Sequence, residues 1–117
     1  MADKEAVAKV VVDQLEGAGL GAVSTKAMFG GISIRVDDAE VAKVLKTGEL
    51  HMRSDAEADS AFSGDKQVTN DFGGGTPRKM PYFEIASGDQ GSLGGRLAAA
   101  TGAGKRAAAK KAAKKKK

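Results

Sequence analysis

The chain contains no cysteine and no tryptophan, and only two of its 117 residues are proline. Without cysteine, disulfide bonds, thiolate nucleophiles and cysteine-ligated zinc sites are excluded, and this composition suits a reducing compartment. No apolar run approaches the roughly 20 residues that a transmembrane helix needs. The charged start around Asp3 and Glu5 is unlike a signal peptide. We therefore expect a cytoplasmic protein without a membrane span.

Aromatic residues are also scarce, with four phenylalanines and one tyrosine. The core of a single domain must then come from Val, Ile, Leu, Met and Ala. Glycine is abundant, at 16 residues. Most of these glycines cluster between the periodic segments, so they are typical of loops and turns.

The first segment has helical periodicity. Asp3 is a candidate N-cap, and glycine at positions 17 and 19 gives a stop signal. Between them, apolar residues recur three or four positions apart, as on one face of a helix; they are Val7, Val10, Val11 and Leu15.

From Val23 the period of the apolar residues changes to two, which indicates half-buried strands. Tight turns separate these strands, so their pairing should be antiparallel. The predicted meander has four strands. The first begins near Val23, and the second contains the alternating Ile32 and Ile34 and ends at Val36. The third covers Glu40–Leu45, and the fourth includes Leu50 and Met52.

The second half of the chain is less regular. A short helix over Ala56–Phe62, strands over Gln67–Phe72 and Lys79–Ala86, and a second short helix over Asp89–Ala100 are predicted. Pro81 cannot donate a hydrogen bond to a sheet, which favours an edge strand or a bulge. Gly73–Pro77 is predicted to be a mobile loop and Gly102–Gly104 a hinge.

These segments predict an α+β fold of two layers, with an antiparallel meander, an N-terminal helix and flanking short helices. The division we expect is a domain over residues 1–100 and a flexible, disordered tail over residues 101–117. No acidic residue follows Asp89, and eight of the 19 basic residues lie in the last 13 positions. The rest of the chain then holds 11 basic and 15 acidic residues, so an acidic body carries a basic arm.

The basic arm is the main functional feature of the sequence. Lysine and arginine neutralise phosphates and release counterions, whereas alanine offers no groups that read bases. Sequence-independent binding to nucleic acid is therefore predicted, by Lys105, Arg106, Lys110, Lys111, Lys114, Lys115, Lys116 and Lys117. Two other interpretations stay open: the arm only aids solubility, or it is attracted to an anionic membrane surface.

One set of motifs resembles the N-terminal domain of TfoX-like proteins, which are named after a regulator of bacterial competence genes. The set comprises Met28-Phe29-Gly30-Gly31 after an amphipathic helix, and Met80-Pro81-Tyr82 some 50 residues later. The resemblance covers roughly residues 5 to 90. It implies a bacterial, two-layer α+β domain with a regulatory or binding role. It does not imply catalysis, and we expect neither an enzyme nor a cofactor.

Full-length competence regulators of this kind carry a second, helical domain, for which this chain has no room. A direct role in competence is therefore not expected. The folded domain would instead contact a protein partner or a second copy of itself, and nucleoid association would follow from the arm. The alternative functions are a partner-binding adaptor with a solubilising tail, or a small-molecule-binding domain that uses the glycine-rich loops.

The remaining candidate sites favour structural roles. The seven motif residues are interpreted as strand, turn and bulge positions. Arg78 and Lys79, after the glycine loop, could add a second phosphate contact. His51, the single histidine, is predicted on the polar face of its strand, exposed at the surface. With no second histidine and no cysteine, no metal site is expected, and no catalytic residue is assigned.

Overall fold

The computed structural model describes residues 4–28, 30–70 and 78–115. The described residues form two α-helices, six strands and two short 3₁₀ turns, at Asp59–Phe62 and Ser87–Asp89. The helices are α1 (Lys4–Ala18) and α2 (Gly95–Lys115), and the strands are β1 (Val23–Met28), β2 (Gly31–Val36), β3 (Ala39–Val44), β4 (Leu50–Arg53), β5 (Lys66–Asn70) and β6 (Arg78–Ile85). Within these ranges, no helix combines the length and hydrophobicity that crossing a bilayer requires.

Helix α1 confirms the first prediction. Its buried stripe consists of Val7, Ala8, Val11 and Leu15. Val10, which the periodicity placed on this stripe, is instead 39% exposed, whereas Ala8 is buried. The helix ends where Gly19 adopts a positive φ of 67°, which glycine reaches without steric cost. The predicted cap, Asp3, lies outside the described residues.

The antiparallel meander of β1 to β4 is also confirmed. Asp37 and Asp38 form the β2–β3 turn, with φ of 51° and 67°; aspartate is among the few non-glycine residues that tolerate this region. Asp37 also holds the entry to β1. Its backbone N–H donates to the Ala22 carbonyl, and its carboxylate accepts from the Ala22 N–H, at 2.8 and 2.9 Å.

The sheet order is β1-β2-β3-β4-β6-β5, and the pairs between neighbours are antiparallel. Strand β6 is therefore internal, and Pro81 is not on an edge. The pairing of β5 with β6 shifts register between Gln67 and Thr69. The sequence predicts either an edge strand or a bulge at Pro81, and the structure has a bulge. The Pro81 carbonyl still accepts a hydrogen bond from the Ser54 N–H at 2.9 Å.

The two faces of the sheet differ in chemistry. One row of cross-strand neighbours is buried and belongs to the hydrophobic core; its members are Ile34, Ala42, Met52 and Phe83. Side chains from α1 and α2 complete the same core, with α1 on β1 to β3 and α2 on β3 and β4. The two-layer α+β fold is thus confirmed. The adjacent row, whose side chains lie on the other face of the sheet, is polar; its members are Ser33, Lys43, His51, Glu84 and Lys66.

The C-terminal region departs most from prediction. Helix α2 runs unbroken from Gly95 to Lys115, so a hinge at Gly102–Gly104 is wrong. The helix also begins later than the predicted Asp89, after a 3₁₀ turn. Its buried residues follow helical spacing well past the domain boundary expected at residue 100; they are Leu97, Ala100, Thr101, Ala103 and Gly104. The structure describes residues 101–115 as helix rather than as a disordered tail.

Gly104 explains why the helix can continue there. A Cβ atom at this position would collide with the carbonyl oxygen of Glu40 on β3 and touch the Val41 side chain. Helix and strand therefore approach more closely than any side chain would permit. The glycine has a packing role, and its low helix propensity is offset by burial of the helix face.

We expect Gly104→Ala to lower the free energy of unfolding by about 1–3 kcal/mol, because the added methyl overpacks the contact with β3. The matched control is Gly17→Ala, at a helical glycine with open space around its Cβ position. This variant should be up to about 1 kcal/mol more stable. Urea denaturation followed by circular dichroism measures both, and equal stabilities would contradict the close approach.

Candidate nucleic-acid interface

The predicted cations of the arm lie along the C-terminal half of α2, in three environments. Lys105 and Arg106 follow the packed Gly104 directly. Lys110 and Lys111 lie further along and are exposed. The backbone is helical through positions 114 and 115, whereas Lys116 and Lys117 lie outside the described residues.

Arg106 is tied to the segment after β4. Its guanidinium donates to both oxygens of Asp55, at 2.6 and 2.9 Å, and Nη1 lies 3.1 Å from Glu57 Oε2. This fork geometry makes Arg–carboxylate pairs specific. The hydrogen bonds from Arg106, together with those from the Ala58 and Glu57 N–H groups, lower the pKa of Asp55 to about 2. Arg106 is therefore already neutralised inside the protein.

Lys105 is paired as well. Its ammonium group lies 3.0 Å from Asp37 Oδ2, at the β2–β3 turn. The Ala22 N–H and then Lys105 lower the pKa of Asp37. Both side chains are close to half exposed, so the pair is worth little in energy. It nevertheless joins α2, the turn and the start of β1 at one carboxylate.

The remaining six cations are the lysines from position 110 onward. Within the described residues, no ion pair holds Lys110 or Lys111. On a helix, 110 and 114 lie one turn apart, as do 111 and 115. The continuing helix thus carries two adjacent rows of lysine positions.

A cleft of about 550 Å³ lies between this part of α2 and the sheet. Its helical wall consists of small residues and one lysine: Gly104, Ala107, Ala108 and Lys111. Its sheet wall includes two arginines, Arg35 and Arg53, and two carboxylates, Asp38 and Glu40. The cleft thus brings three cations and two carboxylates together between helix and sheet, which the sequence did not predict.

The carboxylate of Glu40 is engaged within the protein. Its two oxygens accept hydrogen bonds from the hydroxyls of Ser33 and Tyr82, at 2.6 and 2.5 Å. Arg53 Nη1 donates to the Tyr82 hydroxyl at 3.1 Å, whereas Arg53 Nε is buried without a hydrogen-bond partner among the described residues.

Tyr82 is the centre of the polar face of the sheet. The Lys43 ammonium lies 4.3 Å from its ring centroid, and the Arg53 guanidinium lies 5.2 Å away, both within cation–π range. Burial first, and then the Glu40 hydrogen bond, raise the pKa of Tyr82 to about 12. The ring stays neutral at physiological pH and presents its π face to two cations.

The motif residues do not come together as one site. Gly30 forms the β1–β2 turn with a φ of 80°, and Gly31 begins β2 against the carbonyl of Val44. Met80, Pro81 and Tyr82 lie on β6, separated from β2 by two strands. The side chain of Met28 and all of Phe29 lie outside the described residues. The structural interpretation of the whole motif therefore stays a prediction.

The second predicted phosphate contact, by Arg78 and Lys79, is described by the structure for the backbone alone. Arg78 and Lys79 begin β6, where they pair with Asn70 and Thr69 of β5. Their side chains, and the glycine loop at 73–77, are not described. A phosphate contact by these two residues stays a prediction.

His51 differs from its prediction. It lies on the polar face as expected, but it is only 7% exposed, so a surface position is wrong. Long side chains flank it from the neighbouring strands, Lys43 on β3 and Glu84 on β6. Burial first, and then the charge of Lys43, lower the pKa of His51. Neither ring nitrogen has a hydrogen-bond partner among the described residues, an arrangement that costs roughly 1–3 kcal/mol per group.

Comparison with known families identifies a match. The family model described as the TfoX N-terminal domain matches residues 13–88. A comparison with curated proteins found no match. The matched range begins inside α1 and ends in the 3₁₀ turn after β6, so it contains all six described strands. Helix α2 and its cations lie outside it.

The Asp55–Arg106 pair predicts a specific pH dependence. The folded-state pKa of Asp55 is below its ordinary value of 3.8, so the stabilisation is complete above that value and is lost as pH falls through about 2. Asp55→Asn keeps a capping side chain but loses the charge. We expect a lower urea midpoint than wild type at pH 7, and a difference that shrinks between pH 4 and pH 2.

The control for this experiment is Asp13→Asn. Asp13 forms an i,i+4 pair with Lys9 in which both side chains are mostly exposed, so its removal should change the midpoint little. A loss at Asp55 no larger than at Asp13 would show that Arg106 is not anchored as described.

Proposed function

Because the chain belongs to the TfoX N-terminal domain family, we propose that it is a non-catalytic regulatory domain that binds nucleic acid through phosphates, without reading the base sequence. The division of charge along α2 carries the proposal. The two cations nearest the sheet are neutralised by Asp37, Asp55 and Glu57. Lys110 and Lys111, further along the helix, form no ion pair among the described residues. In this proposal the protein works in the cytoplasm, at the nucleoid.

The physical case rests on counterion release. Each phosphate that a lysine neutralises frees condensed cations, and affinity then falls as a power of salt concentration. Eight contacts would give a log–log slope of about −7 on duplex DNA, whereas six give about −5. Pairing of Lys105 and Arg106 within the protein therefore reduces the expected slope in a measurable way.

The helical arm also lowers the cost of binding. A disordered arm would lose conformational entropy when it settles on a polyanion, but α2 is already helical through position 115. The alanines between the lysines offer no donors or acceptors to base edges. Contact is then limited to the backbone of the nucleic acid, and the folded domain is left to bring a protein partner or a second copy to that surface.

The test compares two triple variants with the same change in net charge. Lys110, Lys111 and Lys114→Gln removes arm charges, and Lys9, Lys26 and Lys46→Gln removes exposed charges from the body. In a salt titration of duplex DNA binding, we expect a slope of about −5 for wild type and the body variant. The arm variant should lose about three units of slope. Fluorescence anisotropy with labelled duplexes measures all three.

Two further measurements make this test more specific. Lys105→Gln should change the slope less than Lys110→Gln does, because Lys105 is already paired with Asp37. Two duplexes of equal length and unrelated sequence should bind with equal affinity. Identical slopes for the arm and body variants would overturn the proposal and favour an arm that only aids solubility.

A further inference from the structure

A cluster of three potential metal ligands lies on the polar face of the sheet, apart from the arm. Glu49, His51 and Glu84 each offer one ligand atom, and these atoms all lie within 4.8 Å of one another. Glu49 and His51 are two residues apart, at the start of β4, and so share a face. Glu84 on β6 is the direct cross-strand neighbour of His51.

The state of His51 points to a ligand. The side chain is more than nine-tenths buried, and both ring nitrogens lack a hydrogen-bond partner among the described residues. Buried polar groups in folded proteins almost always have a partner, so each exception needs a cause. A neutral imidazole nitrogen that faces two carboxylates is the arrangement that a divalent cation would satisfy.

Glu49 is held in place by its own turn. The Thr47 hydroxyl donates to Glu49 Oε2 at 3.0 Å, and the Leu45 N–H donates to the Glu49 carbonyl at 2.9 Å. The hydrogen bond from Thr47 thereby orients the carboxylate of Glu49. A ligand held by a hydrogen-bonding neighbour is the usual condition of a carboxylate in a metal site.

We propose that Glu49, His51 and Glu84 bind a divalent first-row transition metal ion, with Zn²⁺ as the reference ion. The imidazole disfavours Mg²⁺ and Ca²⁺, which take oxygen ligands. Tetrahedral zinc with bonds of about 2.1 Å brings ligand atoms to roughly 3.4 Å from one another, so small rotations of the two glutamates close the site. Three protein ligands leave a fourth position for water.

Lys43 and Lys66 are the cations that face this site. Lys43, on β3, is the cross-strand neighbour of His51, and Lys66, on β5, is the neighbour of Glu84. The ammonium group of Lys43 lies over the Tyr82 ring, but its charge still acts on His51. Lys43 opposes a bound cation, so Lys43→Gln should tighten metal binding rather than weaken it.

The test titrates the full chain with Zn²⁺ at neutral pH in competition with a chromophoric chelator. We expect one ion per chain, and affinity at least about tenfold lower for His51→Ala and for Glu84→Gln, since even outer-sphere partners cost about that much. The matched control is Glu16→Gln, an exposed acid on α1, which should bind like wild type.

A second readout needs no substitution. His51 is the single histidine of the chain, so its imidazole proton signals are assigned directly in the NMR spectrum. They should shift or broaden on addition of one equivalent of Zn²⁺. An unchanged His51 signal at saturating Zn²⁺, or wild-type affinity in both site variants, would overturn the proposal.

Discussion

The close contact between Gly104 and the Glu40 carbonyl determines how α2 is placed on the sheet, and the other features of this structure depend on that placement. It lets α2 lie directly on β3, with no side chain between the two backbones. The two helical turns after Gly104 are then placed as well: Lys105 meets Asp37, Arg106 meets Asp55, and Lys111 lines the cleft. A helix that stood further from the sheet would lose all three placements together.

Glu40 links the two faces of the sheet. Its backbone supports α2, while its carboxylate accepts from Ser33 and Tyr82 on the polar side. Tyr82 in turn orders Lys43 and Arg53 over its ring. The polar face is therefore a connected network and not a solvated surface. His51 lies beside this network, with Lys43 and Glu84 as its cross-strand neighbours.

Local patterns predicted much of this fold, because α1 and the β1–β4 meander depend on periodicity and tight turns. The bulge at Pro81 also follows from a local property, the missing N–H. The continuation of α2 beyond residue 100 was missed because Gly102 and Gly104 weaken helix propensity, whereas the contact that offsets this lies more than 60 residues away in β3. The small residues Ala100, Thr101 and Gly104 at helical spacing carried the signal. Alternation placed His51 on the correct face, but its burial depends on the lengths of neighbours in other strands.

The family match and the hydrophobic core do not end at the same residue. The matched range stops at 88, yet Leu97, Ala100 and Ala103 belong to the core. A segment limited to 13–88 would leave an apolar strip of β3 and β4 open to water. The range by which the family is recognised is thus shorter than the segment that forms the hydrophobic core. In this chain α2 covers that strip, so its N-terminal half is part of the core, whereas Lys110 and Lys111 toward its other end are exposed.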